Sequence, residues 1–322
     1  MKTFLSKYSL AAWVLLIPCV GWAWGDFGHQ TVATIAERNM SASTKKQIKK
    51  ILGKEKLIDA AIWPDVVKKD DAWKFTSPYH YADRDTDKDY WSSKPAPEGD
   101  ALRALIKYAE ILADKKASQK DQLIALRMLV HLMGDMYMPL HLGEKSDQGG
   151  NKISVDFSKD FKFVEPVDPT APNYPKKEPN LHSVWDHTIP KYDFMTFCGK
   201  QTKLDQAKYA KCLSQRFMRE TFPSKVDPEE WMAESIRVIN NVVERFPPST
   251  KGKEHILGEA YMNVSANVVG RKIYLSGFHL AKLLNYLFTK HELPQEFKQF
   301  QEKAGKTFGA TTFDFFKVSA DK

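Results

Sequence analysis

The sequence predicts a mainly α-helical protein with one small β-hairpin. Apolar residues recur at three- and four-residue spacing along most of the chain, whereas stretches that alternate apolar and polar residues are scarce. Hydrophobic residues make up 43% of the 322 residues, which is enough to fill a sizeable core. A chain of this length is therefore expected to form one large domain.

Three helices are predicted most clearly. Residues 123–133 place leucine, valine and methionine on one helical face, and this helix should run toward Pro139. A second helix starts at residues 227–230, where an aspartate cap precedes a first-turn proline, and should end near Pro247. Residues 261–288 predict one long helix or a broken one.

Three segments depart from the helical pattern. Residues 152–164 alternate apolar and polar side chains on both sides of a polar turn, which predicts the β-hairpin. Five prolines in residues 164–179 predict an irregular surface loop. Residues 292–322 carry six phenylalanines, so this C-terminal extension is expected to pack on the domain formed by residues 24–291.

The N-terminus predicts export. Lys2 and Lys7 precede an apolar run at 10–20 and a small-residue stretch, which is the pattern of a secretory signal peptide covering residues 1–23. Nothing later approaches about 20 consecutive apolar residues, so no membrane anchor is expected after cleavage. A lipoprotein signal at Cys19 is the alternative, although Pro18 stands where a small residue is expected. The protein is predicted to be secreted or periplasmic.

Cleavage after Ala23 changes both charge and cysteine content. It removes two lysines, so the formal charge falls from +8 to +6, which permits a polyanionic substrate without selecting one. Only Cys198 and Cys212 remain, and an oxidising compartment favours a disulfide between them. Two free buried thiols are the alternative.

The candidate metal ligands include two matching pairs. His131 and Asp135 stand four residues apart, so they share one face of a helix, and the chain turn after that helix brings His141 close to them. His182 and Asp186 repeat the spacing. One such pair is more often a surface hydrogen bond than a metal site, but two pairs in one chain favour metal binding.

Three residues upstream add to the candidate ligands. Asp65 and His80 lie on predicted helix and loop segments, and His29 lies close to the predicted new N-terminus. Zinc favours imidazole nitrogen and carboxylate oxygen, and a catalytic site keeps a position open for water or substrate. The combined set suffices for more than one ion, so the sequence predicts a zinc cluster.

Six blocks of sequence surround these residues. They are WGDFGH at 24–29, WPD at 63–65, HYAD at 80–83, HLMGDM and PLH within 131–141, GGNK at 149–152, and NLHSVWD at 180–186. In order and spacing, along nearly the whole mature chain, they resemble the zinc-dependent single-strand-specific nucleases of fungi and plants. That family shares its helical fold with the bacterial zinc phospholipases C.

The resemblance implies a site of three zinc ions. Asp65, His80, His131 and Asp135 would hold one ion, His141, His182 and Asp186 a second, and His29, Asp135 and the α-amino nitrogen and carbonyl oxygen of Trp24 the third. An α-amino group becomes a ligand only after the preceding peptide bond is cut. Signal removal would therefore complete the third site.

The resemblance also implies the reaction. Single-stranded RNA and DNA would be cut to 5′-phosphorylated products, and nucleotides would lose 3′-phosphates. Asp65 would orient or deprotonate the attacking water, and Lys68 would stabilise the charge that develops on phosphate. A solvated lysine beside Lys69 is the alternative interpretation of Lys68. No obligate protein partner is predicted.

Four residues are implied to bind the substrate. Tyr81 would stack on an unpaired base beside Asp83, because an aromatic ring accepts any base that has left its stack. Gly149 and Asn151 would form the other wall. A tight turn for the glycine and a capping role for the asparagine are the structural alternatives.

Two other functions remain compatible with the sequence. A zinc phospholipase C shares the fold, but such enzymes carry glutamate where this chain has Asp186 and lack the Gly-Gly-Asn block. A secreted zinc-binding protein without catalysis would have no open coordination position, whereas these ligand counts leave room for water and phosphate.

Overall fold

A computed structural model of the protein describes residues 24–163, 179–199, 203–220, 225–243, 249 and 252–319. The predicted signal peptide and all but the last residue of the predicted proline-rich loop lie outside this part of the chain. The described residues are mainly helical, as the sequence predicts. The α-helices are α1 (Asp26–Asn39), α2 (Ala42–Leu52), α3 (Leu57–Ala60), α4 (Trp63–Val67), α5 (Ala101–Ala113), α6 (Gln119–Tyr137), α7 (Leu181–Ser183), α8 (Ile189–Phe197), α9 (Gln206–Phe217), α10 (Pro228–Val238), α11 (Glu259–Lys290) and α12 (Gln295–Phe308).

Shorter elements connect these helices. Lys74–His80 and Pro139–Leu142 form 3₁₀ turns, and Val184–Thr188 and Ile239–Val243 form π-helical turns. Two strands, β1 (Val155–Phe157) and β2 (His255–Leu257), pair in parallel. None of the helices in the described ranges combines the length and the apolar character that a membrane span requires.

The prediction of a hairpin over residues 152–164 is wrong in its pairing. β1 lies where the alternation predicts a strand, but its register places Val155 opposite His255 of the distant strand β2. The second half of the predicted hairpin packs through its rings instead, because Phe161 and Phe163 both contact Tyr192. Alternation thus predicts a half-buried strand but does not identify its partner.

Local sequence explains where the main helices begin and end. The hydroxyl of Ser118 accepts a hydrogen bond from the Asp121 amide at 3.1 Å and caps α6, which ends two residues before Pro139. The carboxylate of Asp227 caps α10 as predicted, by accepting a hydrogen bond from the Glu229 amide at 2.9 Å. The apolar pattern over residues 261–288 forms the single unbroken helix α11.

Helix α11 lies at the centre of the packing and contacts α1, α6 and α8. Gly277 of α11 faces α1 at very close range. A Cβ atom at this position would lie 2.6 Å from the Cβ of Ile35 and 2.7 Å from the carbonyl oxygen of Val32. Glycine therefore permits the two helices to approach more closely than any other residue would.

The predicted disulfide joins Cys198, at the end of α8, to Cys212 in α9. Its two cysteines are 14 residues apart, and closing a loop of roughly this length stabilises a fold by about 3 kcal/mol in the chain-entropy model. We expect the double substitution of both cysteines by serine to lower the free energy of unfolding by about 3 kcal/mol. Urea denaturation of the two proteins at equal metal content would measure this, and an unchanged midpoint would contradict it.

The phenylalanine-rich C-terminal extension packs on the helical domain. Phe297 and Phe300 are fully buried, and the ring of Phe308 stacks on Trp91. Beyond α12, the ring of Phe315 contacts Tyr79 and the ring of Phe316 contacts Tyr108 in α5.

Candidate metal centre

The structure brings together all eight side chains predicted to hold metal. They form three groups, and within each group the potential ligand atoms lie within 4.8 Å of one another. Every member is buried. The groups are His29, His131 and Asp135; Asp65, His80 and His131; and His141, His182 and Asp186.

Asp135 lies where the three groups meet. Its Oδ1 is 3.4 Å from His29 Nε2 and 3.6 Å from His141 Nδ1, and its Oδ2 is 3.2 Å from His80 Nδ1 and 3.3 Å from His131 Nε2. Burial raises the pKa of this carboxyl, but the surrounding imidazoles, His131 foremost, hold the pKa well below its usual value. A single carboxylate thus faces histidines from every group.

The buried polar atoms of the centre are poorly satisfied by the protein. Both oxygens of Asp135 and Asp186 make no well-directed hydrogen bond with any described residue, and neither does Nε2 of His80 or of His182. Buried polar groups are nearly always hydrogen-bonded. Each buried group without a partner destabilises the fold by about 1–3 kcal/mol, and by more when the group is charged. Bound cations would satisfy them, and the donor set of imidazole nitrogen and carboxylate oxygen suits zinc.

Backbone carbonyl groups orient two of the histidines. Nδ1 of His131 lies 2.7 Å from the carbonyl oxygen of Ala61, and Nδ1 of His182 lies 2.6 Å from that of Gly149. Both rings therefore direct Nε2 toward the centre, as metal-binding histidines do when their other nitrogen is hydrogen-bonded. Sequence reasoning missed both carbonyls, because a backbone oxygen leaves no signal in the residue type.

The described chain begins beside the centre. Trp24 is fully buried, and the Gly25 amide donates a hydrogen bond to the carbonyl oxygen of Asp186 at 3.0 Å. His187, for which the sequence predicts no role, lies directly against Gly25, because a Cβ there would overlap its ring. Asp186 and His187 belong to a π-helical turn, a feature that is frequent at functional sites.

Comparison with known proteins decides the family. The S1/P1 nuclease family model matches residues 24–289. The chain belongs to the S1/P1 nuclease family. It is 30% identical over 231 residues to nuclease S1 of Aspergillus oryzae (strain ATCC 42149 / RIB 40), covering 68% of this chain and 71% of the relative.

Plant relatives cover more of the chain. Endonuclease 4 of Arabidopsis thaliana is 27% identical over 290 residues, or 83% of this chain and 89% of its own length. Endonuclease 3 of the same plant is 28% identical over 315 residues, or 88% of this chain and 97% of its own length. The predicted resemblance and the predicted enzyme class, a nuclease, are confirmed.

In this S1/P1 nuclease, Lys68 is not a solvated lysine. It is only 4% exposed, and its Nζ lies 2.5 Å from Oδ1 of Asp65, which is also buried. Burial raises the pKa of the Asp65 carboxyl, but Lys68 and the neighbouring imidazoles lower that pKa well below its usual value. The structure therefore places an ionised carboxylate and an ammonium group side by side at the edge of the centre.

Two of the predicted substrate residues line one pocket. Tyr81 is 43% exposed, and it borders a pocket of about 240 Å³ together with Asp83. Oδ1 of Asp83 is buried and makes no hydrogen bond with any described residue, and burial raises the pKa of this carboxyl to about 7. Both side chains are thus placed to contact a ligand.

The other two predicted substrate residues do not line this pocket. Gly149 has a φ of +59°, and a Cβ there would lie 2.4 Å from the carbonyl oxygen of Leu140, so a tight turn requires glycine. The same Cβ would lie 3.4 Å from Oδ1 of Asp83, so Gly149 lies close to one of the residues that line the pocket. The amide oxygen of Asn151 accepts a hydrogen bond from Asn180 at 3.4 Å, which fits a structural role.

Gly134 permits the His29 ring to lie against α6. A Cβ at this position would lie 2.5 Å from Nδ1 of His29. Alanine favours a helix interior over glycine by about 1 kcal/mol, so Gly134→Ala is expected to retain a stable fold while displacing His29. We expect cation affinity and nucleic-acid cleavage to fall roughly 10- to 100-fold, as when the support of a metal ligand is lost.

Metal analysis of the purified variant and its cleavage rate would check this prediction. Gly305→Ala in α12 is the matched control, because a Cβ there would meet nothing within 4 Å. The control should keep its metal and its activity. Full metal content and full activity in Gly134→Ala would show that His29 does not depend on this close approach.

Proposed function

We propose that this nuclease binds three zinc ions, cuts single-stranded RNA and DNA to 5′-phosphorylated products and removes 3′-phosphates from nucleotides. One observation carries the proposal: three groups of buried histidines and aspartates meet at Asp135. The membership of the chain in the S1/P1 nuclease family supports it. A phospholipase C is the second candidate, and the aspartate at position 186 argues against it.

The proposed ligand sets are those that the resemblance to the family implies, and the three buried groups support them. Asp65, His80, His131 and Asp135 would hold one ion, His141, His182 and Asp186 the second, and His29, Asp135 and the amino nitrogen and carbonyl oxygen of Trp24 the third. The buried position of Trp24 and the start of the family match at this residue support a mature chain that begins there. The proposal therefore includes cleavage of residues 1–23 and export of the domain formed by residues 24–291 with its C-terminal extension.

The catalytic roles rest on the contact between Asp65 and Lys68. When bound, zinc lowers the pKa of water and withdraws charge from a phosphodiester. Asp65, held ionised by Lys68, would orient the attacking water and accept its proton. Lys68 would donate to the phosphate oxygens as their negative charge increases. In-line attack on phosphorus then breaks the bond to the 3′ oxygen and leaves phosphate on the 5′ oxygen.

The preference for single strands is assigned to the pocket beside Tyr81. A base must leave its stack before it can lie on the tyrosine ring, and stacking of this kind contributes about 1–3 kcal/mol per base. The buried Oδ1 of Asp83 would take part in a hydrogen bond with the edge of that base. Duplexes are then poor substrates, because their bases are already stacked and paired.

The decisive experiment compares one oligonucleotide as a single strand and as a duplex, with a 3′-mononucleotide and phosphatidylcholine as further substrates. We expect rapid cleavage of the single strand, products with 5′-phosphates in mass spectra, slow cleavage of the duplex, and three zinc ions per chain. Hydrolysis of phosphatidylcholine alone would establish the phospholipase instead. Inactivity toward all four substrates after full zinc loading would indicate a zinc-binding protein without catalysis.

A further inference from the structure

We propose that the C-terminal extension positions one wall of the substrate pocket and thereby determines how tightly the nuclease binds its nucleic acid. The inference rests on the proposed function, since it assumes that the pocket beside Tyr81 receives a base. The family match ends at residue 289, so the extension lies outside the matched region. Residues 311–317, which follow α12, are called the strap below.

One wall of the pocket is irregular chain. Residues of the segment 93–100 line the pocket together with Tyr81 and Asp83, and this segment forms neither helix nor strand. It therefore lacks the regular backbone hydrogen bonds that would fix its position. Residues outside the segment hold it in place, and at its start Lys145 and Asp85 form hydrogen bonds with the backbone of Lys94.

The strap supplies such contacts through Arg103. This buried guanidinium donates hydrogen bonds to the carbonyl oxygen of Ala96 at 2.6 Å and to the carboxylate of Asp100 at 2.7 Å, both in the pocket wall. It also donates to the carbonyl oxygen of Thr312 in the strap at 2.7 Å. One side chain thus joins the strap to two residues of the wall.

The ring of Phe315 supports the wall directly. It lies so close to Gly99 that a Cβ there would be 2.3 Å from the ring, and Gly99 has a φ of +101° that favours glycine. The Arg103 guanidinium lies over the same ring, 4.8 Å from its centroid. Phe315 therefore contacts both the wall and the residue that ties the wall to the strap.

The strap also contacts the segment that leads to Tyr81. The ring of Tyr79, two residues before Tyr81, lies 5.5 Å from that of Phe315, and its hydroxyl donates to the carbonyl oxygen of Phe315 at 3.4 Å. The Ala101 amide donates a hydrogen bond to the carbonyl oxygen of Tyr81 at 3.0 Å. The strap therefore contacts both the wall and the segment that leads to Tyr81.

These contacts predict that the strap affects substrate binding rather than the rate of the chemical step. Without the strap, the wall must be ordered when substrate binds, and ordering flexible chain weakens affinity. The strap contacts Tyr79, Gly99 and Arg103, and none of these three residues is a candidate metal ligand. Phe315 is thus assigned as a positioning residue, and its loss should raise KM while kcat and zinc content remain.

The test is Phe315→Ala in the full mature chain, with Lys306→Ala as the control. Lys306 lies on the exposed side of α12 and pairs with Glu302 of the same helix, far in sequence from the wall. We expect KM for a single-stranded oligonucleotide to rise on the order of tenfold, with kcat within about twofold of the parent, because only ground-state positioning is lost. Amide exchange of residues 93–100 should become faster, and the control should match the parent in all measurements.

Unchanged KM and unchanged exchange in Phe315→Ala would overturn the inference, as would a fall in kcat and zinc content with KM constant. If the alanine variant cannot be purified, Phe315→Leu, which keeps an apolar side chain against Gly99, is measured in its place. If the parent enzyme does not cleave oligonucleotides, the proposed function fails, whereas exchange at residues 93–100 still decides whether the strap positions the wall.

Discussion

Substitution of Asp135 by asparagine is expected to abolish nuclease activity. The two oxygens of Asp135 face histidines of all three ligand groups. The amide of asparagine has one neutral oxygen, whereas the carboxylate has two oxygens that share a negative charge. Metal ions supply several kcal/mol of transition-state stabilisation, so their loss should lower kcat/KM by a factor of about 10³ or more. Zinc analysis should show fewer ions per chain than in the parent enzyme.

Asp121→Asn is the matched control for this substitution. It makes the same chemical change in the first turn of the same helix, where the carboxylate accepts a hydrogen bond from Ser118 at 2.8 Å and the amide oxygen of asparagine can still accept it. Zinc content and kcat/KM should stay at the level of the parent. An Asp135→Asn enzyme that retained both would refute the proposed sharing of this carboxylate.

One additional residue before Trp24 is expected to be nearly as damaging. An added alanine converts the α-amino group of Trp24 into an uncharged amide nitrogen, which is a poor ligand, and it must fit where Trp24 is fully buried. We expect the protein to lose one zinc ion and to cleave single strands at least about 100-fold more slowly. Loss of a group that only supports a metal ligand lowers activity by about 10- to 100-fold, and loss of a ligand should have at least the larger effect. Both quantities are measured on proteins whose N-termini are verified by mass spectrometry.

An alanine added after Lys322 serves as the control, because it lengthens the chain equally at the other end. It should leave zinc content and cleavage unchanged. Equal zinc content and equal cleavage with and without the N-terminal alanine would remove the amino group from the third site.

The helices and the candidate ligands were accessible from the sequence because both depend on local spacing. The cap at Asp227 and the stop before Pro139 follow from short-range steric and hydrogen-bonding rules. The four-residue spacing of His131 and Asp135 places both side chains on one side of α6, where the structure has them. Order along the chain was enough to identify the family.

The features that the sequence did not predict depend on long-range contacts or on the backbone. The partner of β1 lies in a segment whose own pattern gives no pairing signal. The burial of Lys68 depends on the packing of α4 and cannot be seen from its exposed neighbour Lys69. The link from Arg103 to Thr312 joins residues more than two hundred positions apart through a carbonyl group, which any residue could supply.

The close packing at Gly277 makes the geometry of the candidate metal centre depend on a residue that is not a ligand. Helix α1 carries His29 in its first turns and rests through Val32 and Ile35 on this one glycine of α11. Metal–ligand distances tolerate deviations of only about 0.2 Å, and a methyl group at position 277 would push α1 by more than that. Searches for enzymes with altered cation selectivity should therefore include the contact between α1 and α11, where a substitution can change the width of the proposed third site without touching a proposed ligand.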